Sequence, residues 1–386
     1  MFIDDLPDDC LLAIFCLINT IDDLLIFVEV CPRWSRLVCQ RLRKVKYLSD
    51  GYPDRAIYPK NTIFYNQTNF LYKIQLSKFL PNLRILDIPV LIFDRSYGKR
   101  FDLEKLNSTK GLIYLLDGHK LSYIDKCFEM VSSPRLAHYF LNSHYGSKLK
   151  QLHLTNCNLE AFSSCAKYLP NLLRLHLEDQ EFWLDDVSRY KGPILEKVEI
   201  FECSVTSFED SNPYPGFDMA DYLPSLKSAF HYVDRSSVFV NQEIKNYYME
   251  DLVLQNMYAC SPNWNTIKGI LRKYPNLKHL AIRSNIESII EDAHIPEIIR
   301  MLPQITIIDV RNSKKITDKT IRFIDEHNKR NKPISFYYKT EQRLEIDWPQ
   351  FSAERKKICQ GLDFMKNCFL KPFDHLPCLM DPLDDK

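Results

Sequence analysis

Residues 6–18 read LPDDCLLAIFCLI, and this stretch is the most informative part of the chain. Asp8 and Asp9 suit the first turn of a helix, where carboxylates meet unpaired N–H groups and the positive end of the helix dipole. The nine residues from Cys10 to Ile18 are all apolar, too few for a membrane span of roughly 20. A helix that is apolar on every side must be buried on every side. We therefore expect one side to pack on the chain itself and the other on a partner.

Two further helices are predicted directly after this stretch. Thr20 and Asp23 have the spacing of a capping box and precede a run of apolar residues. Pro32 suits the first position of a third helix, along which apolar residues and Trp34 recur at steps of three and four. Trp34 lies on this apolar stripe, so we expect it to be structural more than interfacial. Together the three short helices carry more apolar surface than they can cover.

These residues resemble an F-box, over about residues 2–48. The resemblance is carried by a Leu-Pro, an Ile-Phe within the first helix and a Val-Cys-x-x-Trp at F-box spacings; Tyr47-Leu48 stands where many F-boxes have a Leu-Trp pair. The resemblance implies docking on a Skp-type adaptor, which hangs from a cullin carrying a RING subunit. The residues that it assigns to adaptor binding are Leu6, Pro7, Leu11, Leu12, Ile14, Phe15, Leu17, Ile18, Leu24, Val30, Cys31, Trp34 and Leu37.

The composition is that of an ordinary soluble protein with room for two or three domains in 386 residues. Basic and acidic side chains number 51 and 50, so bulk charge gives no sign of a partner nucleic acid or membrane. The first residues lack the basic start and the cleavage site of a signal peptide, so none is expected from them. The twelve cysteines are scattered without a Cys-x-x-Cys, which favours buried thiols in a reducing compartment. We expect a protein of the cytoplasm, the nucleus or both.

A Leu-Pro-Asn-Leu phrase recurs in variants from residue 80 onward, each followed by an L-x-x-L-x-L pattern typical of leucine-rich repeats. The alternative is a chance recurrence of helix-to-strand turns. Most repeat lengths fall in the usual range of about 20–29 residues; the steps 112 to 149 and 195 to 226 imply insertions. Counted from the first apolar residue, the repeats start at Leu83, Leu112, Leu149, Leu172, Leu195, Leu226, Met249, Leu277, Ile305 and Pro333.

The predicted fold is α/β: an N-terminal three-helix F-box, residues 1–48, followed by a leucine-rich-repeat solenoid with a parallel concave sheet, residues 80–339. Residues 49–79 are expected to form a helical connector. Residues 206–222 and 233–248 are expected to be excursions from the repeats. Residues 340–386 are expected to form a C-terminal helix, at 352–370, and a tail that either caps the last repeat or lies across the concave face.

No pattern predicts catalysis, a cofactor or a metal. His153 and Cys157 have a ligand spacing for a helix, but the repeat register places His153 on the concave face and Cys157 in the core. No nucleophile elbow is present, and paired acids such as Asp185-Asp186 suit helix starts or loops. We therefore expect a protein that is not an enzyme and holds no metal.

The concave face is the predicted binding surface for a target protein. Side chains between the leucines alternate outward from each strand, and their register brings aromatic residues out beside arginines, a composition typical of binding hot spots. The alternatives are that insertions shift the register or that the tail covers these groups. The predicted target-binding residues are Phe201, Phe230, Tyr232, His279, Arg283 and Arg311.

The resemblance implies a substrate receptor of an SCF-type (Skp–cullin–F-box) ubiquitin ligase in protein degradation. The F-box would anchor the chain, and the repeats would hold a target at high effective concentration near the ubiquitin-loaded enzyme. The alternative is a non-catalytic leucine-rich-repeat scaffold or inhibitor whose F-box has a non-ligase role.

Overall fold

The fold, taken from a computed structural model, begins with helices, continues through parallel strands and ends in a segment of little regular structure. Cys157, Asp185, Asp186 and the predicted repeat starts Leu112 and Leu149 lie outside the described residues. The structure describes residues 3–50, 58–66, 76–89, 113–117, 147, 150–155, 159–181, 189–207, 213–233, 235–256, 262–284, 289–311, 313–339 and 356–381.

Three helices follow a short 3₁₀ turn at Ile3–Asp5: α1, Asp8–Leu17; α2, Ile21–Val28; and α3, Pro32–Leu42. Pro32 occupies the first turn of α3, as predicted, and the Cys31 sulfur accepts a hydrogen bond from the Trp34 N–H at 3.5 Å. Asp8 links α1 to α3 because its carboxylate pairs with Arg33 and Arg36, both at 2.8 Å. The Thr20 hydroxyl donates to the Asp23 carboxylate, and it does not accept a hydrogen bond from a backbone N–H of α2 as a capping box would require.

The helices share an apolar interior centred on Trp34, which is only 7% exposed. The Trp34 ring meets the rings of Phe15 and Phe27 at centroid distances of 5.4 and 5.7 Å. Leu11, Leu24 and Leu37 are also buried. The predicted structural role of Trp34 thus agrees with its position.

A small parallel sheet follows the helices, in the strand order β2-β1-β3-β4. The prediction of a helical connector at 49–79 is wrong for the described residues, because β1 and β2 are strands with mostly buried side chains and only α4, Leu76–Phe79, is helical. Strand β1 also starts inside the predicted F-box range. The strands are β1, Tyr47–Asp50; β2, Thr62–Tyr65; β3, Ile85–Pro89; and β4, Ile113–Asp117.

A larger parallel sheet continues beside β4, and each of its strands pairs with the next strand along the chain. This order needs a crossover between every pair of strands. The strands are β5, Gln151–Thr155; β6, Arg174–Glu181; β7, Ile200–Ser207; β8, Ser228–Tyr232; β9, Asp251–Asn256; β10, His279–Ser284; β11, Ile307–Asp309; and β12, Ser335–Tyr337.

Most strands begin where the repeat pattern places them, but β4 begins at Ile113, only one residue after the predicted start at Leu112. The first strand residue lies two positions after the predicted repeat start at Leu83, Leu172, Leu226, Met249, Leu277, Ile305 and Pro333. At Leu195 the offset is five, and Val198 takes the equivalent position. Both Leu195 and Val198 begin an apolar pattern of the right spacing, so the sequence alone does not separate the two frames.

Helices pack against one face of the larger sheet and contribute to one core with it. Asn263 caps one of them by accepting from the Thr266 N–H at 3.0 Å. No helix among the described residues is long and apolar enough to cross a membrane. The helices are α5, Leu159–Ala166; α6, Gly216–Ala220; α7, Trp264–Lys273; α8, His294–Met301; and α9, Asp318–Arg330.

Residues 356–381, the covering segment, lie across the other face of the sheet. The segment pairs β13, Ile358–Gln360, in parallel with β14, Leu379–Asp381, and has a π-helical turn at Met365–Phe369 and a 3₁₀ turn at Phe373–His375. The predicted helix at 352–370 is therefore wrong over its described part. Gly361, at φ 82°, breaks any continuous helix there. Of the two positions expected for the tail, the structure has the one across the sheet.

We predict that Trp34→Ala destabilises the helical unit by about 3–5 kcal/mol, the usual cost of removing a buried aromatic side chain. Hydrogen exchange measured by mass spectrometry should speed up in α1–α3 and remain unchanged in β8–β11. Leu17→Ala, at a position 80% exposed, is the control and should leave exchange unchanged. Equal exchange in the Trp34 variant and the wild type would contradict the interior position of this ring.

Candidate functional site

The helical unit divides the predicted adaptor-binding residues between its interior and its surface. The interior holds Leu11, Phe15, Leu24, Trp34 and Leu37; Leu6, Leu12, Ile14, Ile18 and Cys31 are partly buried; Pro7, Leu17 and Val30 are exposed. For the interior set, direct contact with an adaptor is contradicted, because these side chains form the core. Ile3 and Ile26 are also exposed apolar residues of this unit, and the prediction did not include them, although Ile26 lies in the apolar run of α2.

Exposed apolar side chains are concentrated in this unit. Of the nine large apolar residues exposed in the described part of the chain, four lie within residues 3–30. Leu17 is 80%, Ile26 63% and Val30 55% exposed. Single exposed apolar residues are common on any protein, but this concentration indicates a surface for a protein partner.

The predicted target-binding aromatic residues lie beneath the covering segment. Phe230 and Tyr232 point to the predicted face, and both rings lie 5.6 Å from the ring of Phe373. Phe230 is fully buried. The prediction that these side chains form an exposed surface is therefore wrong, because the chain's own C-terminal segment packs on them.

Phe201 lies on the opposite face from Phe230 and belongs to the core shared with the helices. The repeat starts at Val198, three residues after the predicted Leu195. A shift by an odd number of residues moves every side chain of the strand to the opposite face of the sheet. Ile200, Glu202 and Ser204 take the positions that the sequence assigned to Lys197, Glu199 and Phe201. The prediction that Phe201 faces outward is wrong for this reason.

Polar side chains on this face bind the backbone of the covering segment. Arg174 donates to the carbonyl oxygens of Pro377 and Cys378 at 2.6 and 3.0 Å. Gln151 accepts from the Met380 N–H at 2.8 Å and donates to the Met380 carbonyl. These hydrogen bonds join side chains of the sheet to main-chain atoms of the segment, so they do not depend on the segment's own side chains at those positions.

The same mode of binding continues along the strands toward β11. The Phe373 N–H donates to the side-chain oxygen of Gln255 at 3.0 Å. Arg283 donates to the carbonyl oxygens of Lys371, at 3.0 Å, and Phe369. At the other end of the segment, the buried Asp381 carboxylate accepts from Tyr47 and Arg84 at 2.5 and 2.8 Å. The contacts therefore extend from the small sheet to the far strands of the large one.

The predicted basic residues of this face are paired with carboxylates. Asp309 is fully buried and lies 3.0 Å from Arg283 and 2.9 Å from Arg311. Burial alone would raise the pKa of Asp309, but the two guanidinium groups lower it below its ordinary value of 3.8. His279 lies 2.6 Å from Asp251. His279, Arg283 and Arg311 therefore lie on one face, as predicted, and each has a carboxylate partner within the chain.

A second group of buried charges lies where β5, β6 and β7 meet. Glu202 is fully buried, with its carboxylate 2.6 Å from Arg174 and 3.1 Å from His176, and it accepts from the Cys368 thiol at 3.1 Å. Burial alone would raise the pKa of Glu202, but Arg174 and His176 lower it to about 2.

The histidines of this group have opposite pKa shifts. Burial and the charge of His153 lower the pKa of His176 to about 4. Burial alone would also lower the pKa of His153, but the Cys378 and Glu178 side chains raise it to about 9. The region therefore favours one positive charge close to His153.

Comparison with known proteins identifies the helical unit. Residues 3–46 match the F-box domain family, so this part of the chain is an F-box domain. No curated protein matches the chain. Among solved structures, a chain of the "Crystal structure of Rad7 and Elc1 complex in yeast" is 12% identical over 85% of this chain and 92% of that chain, with a TM-score of 0.33. We draw nothing about the fold from so low a TM-score.

We predict that ending the chain at residue 355 lowers the melting temperature and increases binding of the dye ANS, because the apolar side chains of Phe230, Val253 and Ile307 lose their cover. Ending the chain after Asp381 keeps the segment and is the matched control. A melting temperature and dye binding equal to those of the control would show that the segment does not close this face.

We predict that Asp309→Asn lowers the free energy of unfolding by about 3 kcal/mol near neutral pH, because it leaves two partly buried guanidinium groups without their buried counterion. The folded pKa of Asp309 is lowered, so its contribution is complete above its ordinary value of 3.8 and is lost as the pH falls below that value. The difference from wild type, measured by urea unfolding, should therefore shrink below pH 4. Asp325→Asn, at an exposed position of α9, should have no such effect; a difference that stays constant with pH would contradict the pairing.

Proposed function

We propose that this chain is the substrate-recognition subunit of an SCF-type E3 ubiquitin ligase. The observation that carries the proposal is the F-box domain at residues 3–46. F-box domains bind Skp-type adaptors, and proteins that contain them are generally non-catalytic adaptors. Leu17, Ile26 and Val30 offer this adaptor an apolar surface that the chain itself leaves open. Through the adaptor the chain would join a cullin and its RING subunit, in the cytoplasm, the nucleus or both.

The strands from β5 to β12 serve in this proposal as a leucine-rich-repeat solenoid. Their sequential parallel order supports it, as does the recurring apolar pattern that precedes them. A bound target would be held near the ubiquitin-loaded enzyme, so the chain would act through effective concentration and without bond chemistry of its own.

For the target we propose the excursion at residues 233–248. Among the described residues outside the F-box domain, five large apolar side chains are exposed, and four of them lie there: Phe239, Ile244, Tyr247 and Tyr248. Aromatic side chains are enriched in binding hot spots. The loop is fixed, since Asn246 donates to the Leu226 carbonyl and accepts from the Tyr248 N–H, and Asn276 donates to the Tyr247 carbonyl.

The target site predicted on the sheet is compatible with this structure only if the covering segment leaves. Phe230, Tyr232, His279, Arg283 and Arg311 would then form one surface, as the sequence predicts. The closed face also favours the alternative function, a scaffold or inhibitor whose F-box has a non-ligase role. Cullin binding distinguishes the two, because a scaffold of this kind would bind the adaptor and recruit no cullin.

We predict that Leu17→Asp combined with Ile26→Asp abolishes capture of a purified Skp-type adaptor. Both positions are exposed, so a charge there would spoil the interface without unfolding the helices; a hot-spot residue contributes about 2 kcal/mol or more. Ile244→Asp combined with Tyr248→Asp is the matched control and should leave adaptor binding intact. When a cullin–RING pair is added to the wild-type chain bound to the adaptor, all components should elute together as one complex in size-exclusion chromatography.

Adaptor binding by the Leu17/Ile26 variant at the wild-type level would disprove the proposed interface. Adaptor binding without cullin recruitment would disprove the ligase role in favour of the scaffold.

A further inference from the structure

His153 and His176 come from adjacent repeats and lie directly opposite each other in the sheet. Each is the middle residue of a Leu-His-Leu sequence, and the parallel pairing of β5 with β6 places one across from the other. Glu178 follows two residues after His176 and therefore lies on the same face. The repeat register itself brings two imidazoles and a carboxylate together.

The three side chains converge closely enough to share one ion. The imidazole centroids are 4.1 Å apart, and Nε2 of His153 lies 3.7 Å from Oε2 of Glu178. One donor atom from each residue lies within 4.8 Å of the other two. Zinc bonds to imidazole nitrogen and carboxylate oxygen are about 2.0–2.2 Å long, which places tetrahedral ligands about 3.5 Å apart. The donor atoms would approach one another by up to about 1.3 Å to reach that geometry.

Both imidazoles are buried, and their polar neighbours Glu178, Glu202 and Cys378 lie close to them without forming hydrogen bonds of good geometry. Each histidine is 3% exposed, and no ring nitrogen of either has such a bond within the described part of the chain. A buried polar atom left unsatisfied is costly. The Phe373 ring lies 5.2 Å from the ring of His176, so the covering segment closes the cluster on the open side of the sheet.

Glu202, on the neighbouring strand, has the position of a carboxylate that orients a ligating histidine. Its Oε2 lies 3.1 Å from Nδ1 of His176. Metal-bound imidazoles almost always donate their second N–H to such an acceptor, which leaves Nε2 of His176 for the ion. Glu202 also lies 2.6 Å from Arg174 and offsets its positive charge, so a cation can approach.

We propose that His153, His176 and Glu178 form a zinc-binding site. Two imidazoles and one carboxylate are a ligand set that zinc accepts in proteins, whereas magnesium and calcium prefer oxygen donors throughout. The ion would link β5 to β6 beneath the covering segment. The expectation of no metal rested on the pair His153 and Cys157. In this proposal the partner of His153 is His176, which comes from the next repeat.

The test uses the full-length chain, stripped with EDTA, incubated with ZnCl₂, desalted and measured for bound metal by mass spectrometry. We expect about one zinc per chain. The variant that combines His153→Asn with His176→Asn should lose zinc affinity by well over the roughly 10–100-fold that changes to outer-shell partners cause. His279→Asn removes a histidine from the same face outside the cluster and should retain the zinc. Zinc should also raise the melting temperature of the wild type and not that of the double variant.

A second measurement covers the case in which the double variant does not fold. Cobalt bound to the wild type should give the strong visible absorption of a tetrahedral site, and the nearly isosteric Glu178→Gln should weaken it. Zinc bound equally by the wild type and a folded double variant would overturn the proposal. So would a wild type that binds no zinc, or a cobalt spectrum that is weak and of octahedral type.

Discussion

The rest of the structure depends on the parallel register of the larger sheet. Each strand from β5 to β12 pairs with the next along the chain, so equivalent positions of successive repeats form rows. One set of rows packs on the helices, and the alternate set faces the covering segment. Gln151, Arg174 and Gln255 belong to that second set, and this is why residues far apart in sequence bind one continuous stretch of main chain.

Two surfaces of the chain therefore differ in their availability. The F-box domain leaves apolar side chains such as Leu17 and Ile26 exposed. The sheet face has the aromatic and arginine composition of a binding surface, but the chain covers it with its own C-terminal segment. The carboxylates of Asp251 and Asp309 already pair with the basic groups on this face. An adaptor that binds Leu17 and Ile26 would require no rearrangement of the chain, whereas a target that binds the sheet face would require the covering segment to leave.

The sequence predicted the order of the elements better than their surroundings. The apolar pattern located most strands, because each repeat must supply apolar residues at the same strand positions to fill the core. It failed at Leu195, where Val198 begins an equally apolar pattern and only packing decides between them. It also could not separate buried Leu11 from exposed Leu17, since both lie in one apolar run. The segment at 356–381 has no repeat of its own, and its position depends on contacts with distant residues.

Hydrogen exchange of the full-length protein, with and without a Skp-type adaptor, tests most directly whether the two surfaces are separate. Slow exchange of the Phe373 and Met380 amides is expected in the free protein, because Gln255 and Gln151 accept their hydrogen bonds. The adaptor should add protection within residues 3–46 and leave residues 356–381 unchanged. Fast exchange across the covering segment in the free protein, or adaptor-induced protection of the sheet in place of the F-box domain, would contradict this division.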